Sequence, residues 1–216
     1  MKNHVLRKQE LYAELVGGGK LLDVGFAQYP NPYLKNVIGV DIQDKAKPRN
    51  YKEVYRINLN KEKLPFKDAS FDGVVAGEVI EHVENPSLLL REINRVLKKN
   101  CKLIISTPNA TYYWEIIRNY FFSFVSSNDE GEHLSNWTIL DFQKLLNRNG
   151  FLTKKRYGTI FTLPDSNKIV KIPVKWFPKL GWVIIYETIK VNSPDSKVYT
   201  HTQLPNNKYP IIKIKQ

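Results

Sequence analysis

A series of apolar segments between Lys20 and Asn109 constrains the fold more than any other feature of the sequence. Each segment is short enough for a strand and stops at a small, acidic or amide residue, as in KLLDVGF, VIGVDI, EVYRIN, FDGVVAGE and LIISTPN. Short apolar segments that alternate with turns and helical patterns are typical of an α/β fold with a parallel, doubly wound sheet. Because ligands of such sheets bind at the carboxyl ends of the strands, the residues that end these segments predict a binding site.

Helical patterns flank these strands. An apolar stripe within residues 6–16 predicts an N-terminal helix, which the following glycines end. A second helix is predicted from Pro86 to Asn100. A third is predicted to begin after Thr138, its N-cap, and to end at Gly150.

Two further strand-like segments, 151–161 and 182–191, extend the predicted sheet. The connections that contain Pro30, Pro32 and Pro48 are short and rich in proline, so we expect no long helix in them. Together these patterns predict a Rossmann-like, doubly wound and mostly parallel sheet with helices on both faces.

The size and composition of the chain favour one domain. With 216 residues, of which 42% are hydrophobic, the chain is long enough for one sizeable core and short for two. We expect a single domain over residues 1–190 and an extended C-terminal arm over residues 191–216. Cys101 is the only cysteine, so the chain forms no internal disulfide, and its apolar setting is typical of a buried residue in a reducing compartment.

Positive charge is concentrated toward the C-terminus. The net charge is +12, and most of it falls in residues 151–216. Such a surface attracts nucleic acid, acidic glycans or an anionic membrane, while singly dispersed lysines are also typical of a solvated face. The N-terminus lacks the apolar stretch of a signal peptide, and no segment reaches the length of a membrane span. We therefore expect a cytoplasmic protein with no transmembrane segment.

The motifs at the strand ends resemble those of the class I S-adenosylmethionine (SAM)-dependent methyltransferases. The resemblance rests on the order and spacing of DVG, VDI, LPFKDASFD, EVIEHV, RVLKKN and STPN. It is closest to the branch that contains quinone-biosynthesis O-methyltransferases and many sugar and natural-product methyltransferases. It implies an enzyme whose cofactor, SAM, lies across the strand ends of a seven-stranded sheet. It also implies that the final strand, GWVIIYETIKV, runs antiparallel to the others.

The resemblance and the chemistry of the side chains together assign SAM-binding roles to Asp23, Gly25, Phe26, Asp41, Ile42, Asn58, Leu59, Gly77, Glu78 and Val79. Asp23 can pair with the ammonium group of SAM or hold the loop that follows it, and Gly25 lets the backbone approach the ligand closely. The carboxylate of Asp41 can accept hydrogen bonds from both ribose hydroxyls.

The remaining cofactor residues are predicted around the adenine and the methyl group. Ile42 and Leu59 supply apolar surface, and the amide of Asn58 can accept a hydrogen bond from the adenine amino group. Asn58 is also a common turn-forming residue. At the end of the fourth strand, Gly77 allows close approach to the methionine end of SAM, and Glu78 orients the loop.

The loop after the first strand departs from the family pattern. Members usually carry three alternating glycines there, whereas this chain keeps only Gly25, in GFAQYP. Tyr29 followed by Pro30 requires a loop of different shape. A nicotinamide dinucleotide fits less well, because its G-x-G-x-x-G phosphate cradle is absent from the sequence, whereas SAM has no phosphate.

Two histidines are candidates for the general base of methyl transfer. His82 follows the fourth strand, and His133 precedes the predicted third helix. An imidazole can remove the proton of a sugar or aliphatic hydroxyl. A non-catalytic role also accounts for each histidine. His82 is compatible with core packing or with the start of a helix, and His133 with a contact that supports the cap of the third helix. No His, Asp or Glu cluster with metal-ligand spacing stands out, so we predict no metal requirement.

The acceptor site is predicted within residues 108–137, which contain the aromatic residues Tyr112, Tyr113, Trp114, Tyr120, Phe121, Phe122, Phe124 and Trp137. These side chains are compatible with a lid over a sugar or aromatic ring, a homodimer contact, a membrane-facing stripe or ordinary core packing. We expect O-methylation of a small-molecule or carbohydrate acceptor. Two alternatives remain: a methyltransferase that acts on nucleic acid or protein, and a non-catalytic binding protein with the same fold.

Overall fold

The computed structural model describes residues 2–112, 133–159, 172–173 and 181–191. Within these ranges the chain forms a short 3-10 helix, Ile80–His82, and three α-helices: α1 (Lys2–Val16), α2 (Pro86–Val96) and α3 (Ile139–Arg148). It also forms eight strands: β1 (Leu21–Val24), β2 (Val37–Asp41), β3 (Tyr51–Arg56), β4 (Phe71–Gly77), β5 (Leu97–Pro108), β6 (Phe151–Thr159), β7 (Ile172–Pro173) and β8 (Val183–Lys190).

All the strands of the described ranges belong to one sheet, in the spatial order β3-β2-β1-β4-β5-β8-β6-β7. Neighbouring strands from β3 to β5 are parallel, whereas β8 runs antiparallel to both β5 and β6. The predicted α/β fold, a mostly parallel sheet with an antiparallel last strand, is therefore confirmed. β7 has only two residues and pairs with β6 at the edge, outside the seven strands that the resemblance implied.

Apolar layers cover both faces of the sheet. α1 packs on one face, where Leu11 is buried, and α2 and α3 pack on the other through Ile93 and Phe142. Leu21 and Leu22 of β1 belong to different layers, because successive side chains of a strand point to opposite faces. The central strands are thus buried on both sides, as expected for a doubly wound sheet.

The helix ends match the sequence signals with one exception. Thr138 caps α3 as predicted, since its hydroxyl accepts a hydrogen bond from the backbone N–H of Asp141. α2 ends at Val96 and not, as predicted, at Asn100. Leu97 already pairs with β4, and Asn100 has a φ of 63°, which an α-helix does not accommodate.

The connections after β1 and β2 contain no α-helix, over residues 25–36 and 42–50. Their prolines predicted this. Both connections leave the carboxyl ends of their strands, so they border the edge of the sheet at which a ligand is expected.

Two predicted segments lie largely outside the described residues. Of the aromatic segment 108–137, only residues 108–112 and 133–137 are described, and of the C-terminal arm only Val191 is described. The division into a domain over residues 1–190 and an arm therefore stays a prediction. Among the helices that the structure describes, none combines the length and the apolar character needed to cross a bilayer.

Candidate active site

Two cavities lie at the edge of the sheet where β1, β2 and β4 end. The larger has a volume of about 320 Å³, which falls in the range of roughly 300–1,000 Å³ that is typical of small-molecule sites. The smaller has a volume of about 100 Å³. Gly25 and His82 line both cavities, so the two adjoin and can accommodate one extended ligand.

The structure brings every residue of the predicted site to one cavity or the other. The smaller cavity is lined by Gly25, Asp41, Ile42, Asn58, Leu59, Val79 and His82. The larger cavity is lined by Asp23, Gly25, Phe26, Gly77, Glu78, His82 and His133. These residues are distant in the sequence, and they meet because parallel strands end at one edge of the sheet.

Asp41, at the end of β2, holds the loops on either side of the smaller cavity. Its side chain is buried. Its Oδ2 accepts a hydrogen bond from the backbone of Ala27 at 2.8 Å, and its Oδ1 accepts one from the backbone of Gln43 at 2.8 Å. Since each carboxylate oxygen has a second lone pair, Asp41 can keep both bonds and still accept hydrogen bonds from a ligand.

Asp23, at the end of β1, is a buried carboxylate at the larger cavity. Burial raises its pKa to about 7. The Tyr51 hydroxyl donates a hydrogen bond to Asp23 and opposes this shift, whereas the negative charge of Asp41 adds to it. A cationic ligand group beside Asp23 would favour the ionised form, so the residue is suited to an ammonium group.

The residues predicted to bind adenine line the smaller cavity, and they include both apolar and polar side chains. Ile42 is 52% exposed, so its apolar surface is available to a flat ring. The Oδ1 atom of Asn58 accepts a hydrogen bond from the backbone of Asn60 at 3.0 Å, which is the turn-forming role considered for it. A carbonyl oxygen has a second lone pair, so this turn is compatible with a bond to a ligand amino group.

Phe26 lines the larger cavity, and its ring belongs to the core below the loop. The side chain is 2% exposed, and its ring centroid lies 5.2 Å from that of Tyr51. The ring also fills the space beside Gly39, where an added Cβ would lie 2.6 Å from it. Phe26 therefore supports the cavity wall by packing, and its ring offers little surface to a ligand.

Polar contacts hold the loop that lacks the usual glycines. The side-chain amide of Gln9, in α1, donates to the carbonyl oxygens of Tyr29 and Pro30 at 2.6 and 3.2 Å. In return, Asn31 Nδ2 donates to the carbonyl of Gln9 at 2.9 Å. The backbone N–H of Asn31 also donates to the Tyr51 hydroxyl at 3.0 Å. The loop is thus fixed from both α1 and β3.

Helix α1 contributes residues that the sequence did not mark as part of the site. Lys8, Gln9 and Tyr12 line the larger cavity. Lys8 Nζ forms an ion pair with the Glu78 carboxylate, and the Tyr12 hydroxyl lies 2.6 Å from Ser106 Oγ in a hydrogen bond. The helical stripe predicted the helix, but nothing in the sequence indicated which strand ends its polar side chains would reach.

Gly77 and Glu78 form an unusual turn at the end of β4. A Cβ added to Gly77 would lie 2.8 Å from the Tyr12 ring, so this glycine makes room for α1. Glu78 has a φ of 53°, in the left-handed region. Its backbone N–H donates to the carbonyl and to the hydroxyl of Ser106 at 3.2 and 3.1 Å. Lys8 pairs with its side chain, and the loop-orienting role of Glu78 stays a prediction.

The two histidines lie side by side at the larger cavity. Their ring centroids are 4.8 Å apart. His82 ends the 3-10 helix, and the carbonyl of Glu81 accepts hydrogen bonds from the backbone of Leu134 at 2.8 Å and of Ser135 at 3.2 Å. These bonds tie the segment of His133 to the 3-10 helix, and so bring the imidazoles together.

Glu81 was missed as a site residue. Its side chain is 1% exposed and lines the larger cavity. Neither carboxylate oxygen has a hydrogen bond of good geometry among the described residues, although the nearby Thr107 side chain interacts with the carboxyl group and favours its charged form. Burial, together with the negative charge of Glu78, raises the pKa of Glu81 to about 8. The spacing of Glu78 and Glu81, three residues apart and just before His82, was the available signal.

The structure brings together three possible metal ligands, and the absence of a metal requirement stays a prediction. Glu81, His82 and His133 each offer one ligand atom, and these atoms all lie within 4.8 Å of one another. Sequence spacing could not reveal the group, because His133 joins it through the backbone hydrogen bonds to Glu81.

Comparison with known proteins identifies the family. A family model described as "Methyltransferase domain" matches residues 16–105. An uncharacterized protein of Methanocaldococcus jannaschii is 36% identical over 186 residues, which cover 81% of this chain and 84% of that protein. A solved structure from Thermotoga maritima, described as a SAM-dependent methyltransferase, has a TM-score of 0.67 and 20% identity, with 87% of both chains covered. This chain belongs to the class I SAM-dependent methyltransferases.

The methyltransferase uses SAM as its cofactor, and the residues around the two cavities fit that molecule. The methionine end of SAM carries an ammonium and a sulfonium cation, and the larger cavity carries the carboxyl groups of Asp23, Glu78 and Glu81. The smaller cavity offers the carboxylate of Asp41 and the apolar side chain of Ile42, which suit a ribose and an adenine ring. The contacts of individual residues with SAM stay predictions.

One named relative indicates a type of acceptor. A ubiquinone biosynthesis O-methyltransferase of Pelagibacter ubique is 26% identical to the methyltransferase over 175 residues, which cover 68% of each chain. At this identity the match supports a proposal about the acceptor and does not assign one.

Proposed function

We propose that the methyltransferase transfers the methyl group of SAM to a hydroxyl oxygen of a small molecule. The observation that carries this proposal is the position of His82. It lines both the cavity that suits the nucleoside and the cavity that suits the methionine end, beside His133 and Glu81. Groups able to handle a hydroxyl proton therefore border the region in which the reactive methyl group is expected.

The cofactor is proposed to lie across the two cavities. Asp41 would accept hydrogen bonds from the ribose hydroxyls, and Ile42, Leu59 and Asn58 would surround the adenine. Asp23 would bind the ammonium group. Since Asp41 already anchors the loops after β1 and β2, the same carboxylate would couple the order of these loops to cofactor binding.

The chemistry requires a nucleophilic oxygen and a route for its proton. When bound, SAM supplies a methyl group on a sulfonium, and transfer forms a C–O bond while the C–S bond breaks and leaves its electron pair on a neutral thioether. A hydroxyl oxygen becomes a better nucleophile as it loses its proton. A ring nitrogen of His82 or His133 can take that proton in the simplest form of the proposal. The walls of the larger cavity would align the acceptor and exclude water.

We propose that the acceptor is small and enters the larger cavity beside the methionine end of SAM. The larger cavity measures about 320 Å³, and the ubiquinone biosynthesis relative is named for an O-methylation. An acceptor with a hydroxyl on an aromatic or sugar ring is consistent with both facts. The alternative of a nucleic-acid substrate rests on the basic residues 151–216, most of which lie outside the described residues.

The proposal is tested by following label transfer from methyl-labelled SAM to a panel of catechols, phenols and sugars. Saturable transfer to oxygen, with release of S-adenosylhomocysteine and strong loss in Asp41→Ala, is expected. Asp44→Ala, which removes an exposed carboxylate nearby, serves as the control. Transfer to RNA or protein in the same assay, with none to any hydroxylated small molecule, would overturn the proposed acceptor class.

A further inference from the structure

We propose that Tyr51 is a positioning residue for cofactor binding, whose hydroxyl holds Asp23 in place for the ammonium group of SAM and ties it to the loop after β1. Tyr51 begins β3, the edge strand, and β2 lies between β3 and β1. The inference deepens the proposed function and rests on it for one point, the contact of Asp23 with the ammonium group. The loop in question is the one that keeps only Gly25 of the three usual glycines.

The register of the sheet places Tyr51 and Asp23 on one face. Asp23 pairs with Gly39 of β2, and Tyr51 pairs with Val37, two residues earlier in β2. Side chains two residues apart on a strand point to the same face. Gly39 has no side chain, and the ring of Phe26 fills the space beside it and packs 5.2 Å from the Tyr51 ring. The ring of Tyr51 is thus held by packing, and its hydroxyl reaches Asp23 two strands away.

The Tyr51 hydroxyl makes two hydrogen bonds in a buried setting. It donates its proton to Asp23 Oδ2 and accepts the backbone N–H of Asn31 at 3.0 Å. Tyr51, Asp23 and Asn31 are 1%, 5% and 2% exposed, so bulk water does not compete for either bond. Burial and the negative charge of Asp23 hold the pKa of Tyr51 well above its usual value, and the phenol therefore stays the donor. A single oxygen atom joins the carboxylate to the loop.

The bond from Tyr51 prepares Asp23 for a cation. It favours the charged carboxylate and opposes burial, which raises the pKa of Asp23 to about 7. Each carboxylate oxygen can accept a further hydrogen bond, and Asp23 lines the larger cavity. The bond to Tyr51 therefore leaves acceptor capacity for an ammonium group. Without the hydroxyl, the carboxyl group would be harder to ionise and would lose a contact that fixes its orientation.

The same hydroxyl orders the loop after β1. The side chain of Asn31 donates to the carbonyl of Gln9 at 2.9 Å, while its backbone N–H donates to Tyr51. Asn31 and Tyr29 of this loop line the larger cavity. Ligand binding at Asp23 and order in the loop are therefore coupled through Tyr51, and each should favour the other.

The test compares two ligands that differ at the methionine end. S-adenosylhomocysteine carries the ammonium group, whereas 5′-methylthioadenosine has the same nucleoside and a thioether without it. Tyr51→Phe removes the hydroxyl and keeps the ring that packs against Phe26. Calorimetry at pH 7 should show an affinity for S-adenosylhomocysteine reduced by about tenfold or more, and a nearly unchanged affinity for 5′-methylthioadenosine. The matched control is Tyr55→Phe, in the same strand, whose hydroxyl bonds to Glu53 at the surface. It should bind both ligands like the wild type.

A pH profile separates positioning of Asp23 from a general loss of structure. Removal of the hydrogen bond from Tyr51 raises the pKa of Asp23 further, so the increase of S-adenosylhomocysteine affinity with pH should move to higher pH in Tyr51→Phe. Tyr51→Phe combined with Asp23→Asn should bind no more weakly than Asp23→Asn alone. The other ionisable groups of this region are the same in wild type and variant: Asp41, Tyr12, Lys8, Glu78, Glu81, His82 and His133.

Hydrogen-exchange mass spectrometry on the wild type tests the coupling without any substitution. S-adenosylhomocysteine should slow exchange in residues 26–34 more than 5′-methylthioadenosine does, with both ligands at saturation. Equal protection by the two ligands would overturn the coupling between Asp23 and the loop.

The remaining outcomes separate this inference from the proposed function. Equal losses for both ligands in Tyr51→Phe would assign the hydroxyl to packing and overturn the inference. Unchanged binding in Tyr51→Phe, with weak S-adenosylhomocysteine binding in Asp23→Asn, would also overturn it and leave the proposed ammonium contact standing. Full affinity in Asp23→Asn would refute the ammonium contact and the inference together. Selective losses in both variants of a protein that methylates no hydroxyl would support the inference and refute the proposed acceptor.

Discussion

Asp23 and Asp41 are buried at the ends of neighbouring strands, and their different surroundings favour different roles. Both oxygens of Asp41 accept backbone hydrogen bonds, from Ala27 and from Gln43. Asp23 accepts a hydrogen bond from Tyr51, yet burial raises its pKa to about 7. Asp41 anchors the loops after β1 and β2, where we propose the nucleoside binds, and the raised pKa of Asp23 means that a nearby cation would stabilise its ionised form.

At the level of single residues, Asp41→Ala should weaken binding of S-adenosylhomocysteine by about 10- to 100-fold. A hydrogen bond to a charged group contributes about 1.5–3 kcal/mol, and the substitution also releases two loops. Isothermal titration calorimetry measures the change. Asp44→Ala removes an exposed carboxylate from the same connection and should bind normally. Equal affinities of wild type and Asp41→Ala would show that the nucleoside lies elsewhere.

Asp23 predicts a pH dependence of cofactor affinity. The ammonium group of S-adenosylhomocysteine favours the ionised carboxylate, so binding must displace a proton when the pH lies below the raised pKa of about 7. Affinity should therefore rise with pH, by about tenfold between pH 6 and pH 8.

Calorimetry at several pH values measures this dependence. Asp41 and the Tyr51 hydroxyl also face Asp23, and His82 lines the same cavity, so Asp23→Asn is the necessary comparison. It keeps an oxygen that accepts from Tyr51 and should bind weakly with a flat profile. An equally steep profile in Asp23→Asn would assign the effect to another group.

At the level of elements, the contact between α1 and the loop after β1 compensates for missing glycines. Gln9 donates to the carbonyls of Tyr29 and Pro30, and Lys8 reaches Glu78 at the end of β4. The helix thereby links two loops that border the larger cavity. An N-terminal helix that would otherwise only cover the sheet thus contributes to the wall of the larger cavity.

Gln9→Ala should loosen this loop and weaken S-adenosylhomocysteine binding by about tenfold, since hydrogen bonds of this kind contribute about 0.5–1.5 kcal/mol each. Hydrogen-exchange mass spectrometry should show faster exchange in residues 26–34. Glu10→Ala, at the exposed neighbouring position of α1, is the control. Unchanged exchange and affinity in Gln9→Ala would mean that the loop is held by its other contacts alone.

The cap of α3 gives a prediction about stability. Thr138→Ala removes the hydroxyl that accepts a hydrogen bond from Asp141, and should lower the free energy of unfolding by about 1 kcal/mol. Urea denaturation followed by circular dichroism measures this. Thr138→Ser retains the hydroxyl and should lose much less. A loss of equal size in both variants would point to the methyl group of Thr138 and not to its cap.

At the level of the whole molecule, the fold could be predicted because local signals agreed with one another. Apolar segments that ended in acidic or amide residues predicted the strands and the edge at which Asp23, Asp41 and Asn58 meet. Proline positions predicted connections without helices. The end of α2 could not be predicted, because pairing of Leu97 with β4 overrides the helical preference of the following lysines.

The missed parts of the site depend on contacts between distant segments. Lys8 and Glu78 are joined only because α1 packs across the ends of the strands. The cluster of Glu81, His82 and His133 forms because Leu134 and Ser135 bind the carbonyl of Glu81. Periodicity and motif spacing carry no information about such pairings, whereas they do report which residues end a strand.

A crystal structure of the methyltransferase with S-adenosylhomocysteine tests the central claim most directly. We predict the ribose beside Asp41 in the smaller cavity, and the amino group at Asp23 in the larger cavity. The sulfur should lie between them on the side of His82. A ligand bound away from the ends of β1, β2 and β4, or bound there without contact to Asp41, would contradict this account of the site.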